Sequence, residues 1–119
     1  MKLLTITTPA FADMTAYMIA SSGCDDWDIM QPDAEGDFYD PAFQDVVRHR
    51  PQRILDHLRD GYDVLSVDSD VIFFRPVDEL TFPDADISGQ IDPDSGICCG
   101  LCYYRANPRT IELMQMVAD

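Results

Sequence analysis

Two aspartates one residue apart, Asp68-Ser69-Asp70, stand between the apolar runs Val64-Leu65-Ser66-Val67 and Val71-Ile72-Phe73-Phe74. On an extended segment, residues two apart project to the same side, so the pair is expected to bring two carboxylates together. Carboxylates that close repel, and a divalent cation relieves the repulsion; oxygen donors suit hard ions such as Mg²⁺ or Mn²⁺. The pair falls where a central strand is expected to end, and open α/β sheets collect ligands at the carboxyl ends of their strands. A cation there bridges protein carboxylates to a diphosphate and neutralises a phosphate leaving group. The spacing alone is weak, because a chain with 19 aspartates also holds Asp84-Ala85-Asp86 and Asp92-Pro93-Asp94. Position between two apolar runs distinguishes the first pair from these and from a merely polar turn.

The cysteines offer a second chemistry. Cys99-x-x-Cys102 has the spacing of a zinc or redox pair. The run Ile97-Cys98-Cys99-Gly100-Leu101-Cys102-Tyr103-Tyr104 instead reads as a buried strand. There, residues three apart face opposite sides and the thiols serve as small hydrophobes. Cys24 stands alone, so no disulfide framework is expected. His49 and His57 read as surface positions on or beside helices rather than metal ligands.

Elements that position these residues alternate. Lys2 to Thr8 and Trp27 to Gln31 read as strands, with a helix from Phe11 to Ser21 between them on Phe11, Met14, Met18 and Ile19, closed by Gly23. Pro32 to Asp40 reads as loop. Asp40-Pro41 signals an N-cap, and Phe43, Val46 and Val47 give the next helix its apolar stripe. Pro51 is expected to break that helix, leaving a second one from Pro51 to Asp60 on Ile54, Leu55 and Leu58, stopped by Gly61. Further strands are expected at the start of Asp63 to Phe74, at Asp86 to Ile91, and in the cysteine run, with a turn at Asp92-Pro93-Asp94-Ser95-Gly96. Asn107-Pro108 caps a last helix with Ile111, Met114 and Val117 on its apolar side. This order implies a single α/β domain over residues 1–119, a mostly parallel sheet flanked by helices.

Composition narrows the partners. The chain has 119 residues, a formal net charge of −14, and a hydrophobic content of 46% that suffices for a core. With 22 acidic against 8 basic side chains it repels nucleic acid and anionic membrane, which require Lys or Arg. No stretch approaches the roughly 18 apolar residues of a membrane span. Met1 to Ala12 is short and broken by threonines, so it reads as a strand rather than an export signal, and a cytoplasmic protein is expected.

The run Arg50-Pro51-x-x-Ile54-Leu55, Gly61-Tyr62-Asp63-Val64-Leu65 and Asp68-Ser69-Asp70-Val71-Ile72-Phe73, with Pro76 and Leu80 beyond, resembles nucleotide-diphospho-sugar transferases, glycosyltransferases of the GT-A fold. Gly100 to Arg109 is similar to a later segment of these families, a glycine-led strand running into a helix. The resemblance implies a GT-A-like (Rossmann-like) sheet in a minimal or truncated version, and a nucleotide-diphospho-sugar donor bound through Mn²⁺ or Mg²⁺ at the Asp-x-Asp. It implies Asp70 as direct metal ligand, Asp68 on the ribose or on the metal through water, and Ser69 within the donor-binding run. Thr7 and Thr8 would lie near the nucleoside, Arg50 would reach the diphosphate or donor sugar, and Gly100 would admit the sugar. Cys98 stands where such families have a polar residue, often Asn. Family members are generally longer, so the resemblance also implies an absent acceptor half, with the acceptor and catalytic base unspecified.

Two functions follow. One is transfer of a sugar to an unknown acceptor; the other is a catalytically incomplete nucleotide-sugar-binding or assembly module. An apolar face left open where the absent half would pack predicts a homodimer. An Asp-x-Asp after a hydrophobic strand is also similar to haloacid-dehalogenase-type phosphatases, but these need a downstream Lys, and no Lys follows Lys2. Response-regulator receivers fail on the same absence. Nucleotidyltransferases need a glycine-rich basic loop that Thr7-Thr8-Pro9-Ala10 is not.

Overall fold

Leu3 and Leu4 are both buried, in cores on opposite faces, which sets the first strand between two apolar layers, and the rest of the fold extends from it. The structure, a computed structural model, describes residues 1–32, 40–94 and 96–119. Its strands are β1 (Lys2–Ile6), β2 (Trp27–Met30), β3 (Val64–Val67), β4 (Ile87–Asp92) and β5 (Gly96–Tyr104); its α-helices are α1 (Ala12–Ser22), α2 (Pro41–Arg59) and α3 (Pro108–Ala118). The sheet order is β2-β1-β3-β5-β4. β1 is parallel to both β2 and β3, while β5 is antiparallel to β3 and to β4. Four strands therefore run one way and β5 runs against them, the mostly parallel sheet that the alternation implies.

β1 and β3 are short and apolar because both of their faces are covered. On one face Leu4, Ile6 and Val64 pack with Ile54, Leu55 and Leu58 of α2 and Met114 of α3. On the other, Leu3, Leu65 and Val67 pack with Met18 of α1, Trp27, Val77 and Tyr103. The caps behave as their residue types dictate. Asp40 accepts from the Ala42 N–H at 2.8 Å, Asn107 accepts from the Thr110 N–H at 3.0 Å, and Gly23 closes α1 at φ 69°.

Three expectations are corrected. Pro51 does not divide its helix; α2 continues through it. Phe43, Val46 and Val47 before the proline and Ile54, Leu55 and Leu58 after it pack into one core, so a shared buried face outweighs the lost amide donor. The cysteine run is a strand, but only Cys102 is buried; Cys24 and Cys98 are half-buried and Cys99 is exposed. Nor do Cys99 and Cys102 face opposite sides. Gly89 pairs with Cys102 and Gln90 with Cys98, so β5 advances four residues where β4 advances one, and the bulge resets the alternation. Most of the Pro32 to Asp40 loop, and Ser95 of the expected turn, lie outside the described residues. No described helix is long and apolar enough to cross a membrane.

Candidate functional site

Parallel pairing delivers the C-terminal ends of β1 and β3 to the same rim of the sheet. Thr5 fixes their relation, its hydroxyl donating to the Val67 carbonyl at 2.7 Å. The next residue, Asp68, donates its N–H to the Gly100 carbonyl at 2.8 Å, and its own carbonyl accepts from the Val71 N–H at 3.3 Å. Residues 68–71 thus turn away from the sheet, which corrects the extended geometry expected of Asp68-Ser69-Asp70. The turn nevertheless leaves Asp68, Ser69 and Asp70 on one cavity of about 510 Å³. Arg50 of α2 and Cys98, Cys99 and Gly100 of β5 complete its polar and small-residue wall. Phe11, Met14, Phe43 and Val47 supply an apolar side.

Arg50 reaches Asp68 with Nη2 3.5 Å from Oδ1, so it is a partner of the motif rather than a lone surface cation. Burial pushes the Asp68 carboxyl above the usual aspartate range; Arg50 pulls it down and neighbouring Asp70 pushes it up again. The rim thus holds a half-buried carboxylate beside an exposed one, with the Arg50 guanidinium against the first. That donor set fits a hard cation. Among the described residues no cluster of three or more His, Cys, Asp or Glu is arranged to hold a metal. Two carboxylates would leave most of the coordination sphere to a ligand's oxygens and water. Gly100 keeps the space clear, because a Cβ on it would lie 3.2 Å from Asp68 Oδ2 and 3.4 Å from Cys98 Sγ.

Thr7 and Thr8 follow β1 at the same rim but are buried and do not line this cavity. The Thr7 hydroxyl is paired with that of Thr15 at 2.6 Å, and Thr8 Oγ1 has no partner among the described residues. The histidines lie elsewhere: His49 is exposed beside Asp45, and His57 Nε2 is 2.7 Å from Asp28 Oδ2. Sequence reasoning missed Thr5 as the tie between strands, and Phe11, Met14, Phe43 and Val47 as walls. The signal for Phe11 and Met14 was present, since a helix that begins directly after the first strand must open onto the rim where that strand ends.

Residues 12–119 match the family model for nucleotide-diphospho-sugar transferases. The chain belongs to that family. The matched span takes in Arg50, Asp68 to Asp70 and Gly100, whereas Thr7 and Thr8 precede it. Among curated proteins, a UDP-galactose:fucoside alpha-3-galactosyltransferase of Dictyostelium discoideum is 31% identical over 88 residues. The match covers 64% of this chain and 13% of the relative, so the chain spans a small part of the length of the protein it matches. No solved structure matches it.

Proposed function

We propose that the chain binds a nucleotide-diphospho-sugar at the Asp68–Asp70 rim with a divalent cation, Mn²⁺ or Mg²⁺, and transfers the sugar to an acceptor hydroxyl. The observation that carries this is the convergence of Asp68, Ser69, Asp70, Arg50 and Gly100 on one cavity in a chain of this family. Asp70, exposed at the turn, would ligate the ion, and Asp68 would hold it from the half-buried side. The ion supplies charge neutralisation of the diphosphate leaving group. Arg50 contributes a second positive charge on the same side, anchored through Asp68. Gly100, lacking a side chain, leaves room for the donor against the Asp68 carboxylate. In the transfer the acceptor oxygen bonds to the anomeric carbon while the bond from that carbon to the diphosphate oxygen breaks. The diphosphate keeps the electron pair and the acceptor's proton leaves to solvent.

The relative's name suggests UDP-galactose as the first donor to try. A donor-binding module without turnover is the second reading, favoured because the proposal assigns both carboxylates on the described cavity wall to the cation, leaving no other carboxylate or imidazole there to take the acceptor's proton. UDP release from UDP-galactose with Mn²⁺ separates the two. Transfer predicts release that falls roughly 100-fold in Asp70→Ala and also falls in Gly100→Ala, with both variants folded. Release unaffected by Asp70→Ala contradicts the assignment; metal-dependent binding without release favours the module.

A further inference from the structure

A second cavity, of about 370 Å³, lies between α2, α3 and the β4–β5 edge and shares Val47, Arg50 and Cys99 with the aspartate cavity. Its floor is Ile54 and Met114, both buried, and its mouth is Ile97, Leu113 and Val117, each about half exposed or more. Among the described residues the only charged one on it is Arg50, whose guanidinium is turned to Asp68; its aliphatic stem is what an apolar neighbour would touch. Burial pushes both the Cys102 thiol and the Tyr104 hydroxyl on its wall up, so both stay neutral there. The cavity therefore offers little to a sugar's hydroxyls and much to hydrocarbon, and its volume is that of a small-ligand site. A net charge of −14 opposes covering it with a second copy.

We infer that this cavity takes the apolar group of the acceptor, so that the acceptor is an amphiphile: a hydroxyl presented at the aspartate rim by an aliphatic or aryl body seated between α2 and α3. The assignment rests on the donor reading above, and its test is kept separate from it. Octyl glucoside, below its micellar concentration and without metal or nucleotide, is titrated against the chain beside free glucose. Octyl glucoside is expected to bind more tightly than glucose by roughly tenfold or more, and to lose that advantage in Leu113→Asp and Val117→Asp. Those side chains are substantially exposed, so folding is checked by thermal unfolding. Equal weak binding of both probes overturns the inference, as does a concentration-dependent dimer abolished by Val117→Asp, which would make the face an interface between copies. UDP with Mn²⁺ is titrated separately. UDP binding without octyl glucoside binding overturns this inference alone; octyl glucoside binding without UDP binding overturns the acceptor assignment together with the donor reading.

Discussion

Asp63 shows how one carboxylate joins the sheet to its helices. Its Oδ1 accepts from the Ala106 N–H at 2.7 Å and its Oδ2 from the Tyr103 hydroxyl, pinning the corner between β5 and α3 to the entrance of β3. Burial works against the charge, but these hydrogen bonds prevail and hold the Asp63 carboxyl below the usual aspartate range. A lowered carboxyl contributes stability that is complete above the ordinary aspartate pKa and is lost as pH falls through the lowered value. Asp63→Asn is therefore expected to cost about 1–2 kcal/mol in urea unfolding near neutral pH and to flatten the acid limb of the stability profile. An unchanged acid limb would contradict this role. At this scale residue type was informative where chemistry is intrinsic: Asp68, Asp70, Gly100 and Arg50 all meet at one cavity. The extended geometry assumed for the aspartates was not realised, because the chain turns at Asp68, whose N–H bonds to Gly100 far along the chain and whose carbonyl accepts from Val71. Thr7 carried no mark that its hydroxyl would be taken by Thr15.

At the scale of elements, α2 is where local rules and packing disagree. Pro51 removes the amide that would bond to the Val47 carbonyl, yet the helix runs through because its apolar residues on both sides enter one core. Pro51→Ala restores that donor and is expected to raise stability by about 1–3 kcal/mol in urea unfolding; a loss of stability would show that the proline shapes the helix to fit the sheet. Helix caps were legible because Asp40-Pro41, Asn107-Pro108 and Gly23 are local signals with local causes. The bulge in β5 was not. Nothing within Cys98 to Cys102 announces that three residues will be absorbed opposite the Gly89–Gln90 step, and that insertion decides which thiols share a cavity.

For the molecule as a whole, charge and cavities set the behaviour. A net charge of −14 on 119 residues means that the folded chain repels itself. Raising NaCl from about 0.01 M to about 0.5 M should raise the melting temperature by roughly 5 °C; a fall over that range would contradict self-repulsion as a leading cost. On the proposed reading, the same excess of acid would draw a cation to the Asp68–Asp70 rim before any nucleotide arrives. Isothermal titration of UDP in Mn²⁺ and in EDTA, on the natural chain and on Asp70→Ala, tests that claim most directly. The account predicts binding that requires Mn²⁺ and disappears in Asp70→Ala, with thermal unfolding little changed because Asp70 is exposed. Binding of UDP that is equal in both proteins, or indifferent to Mn²⁺, would contradict it.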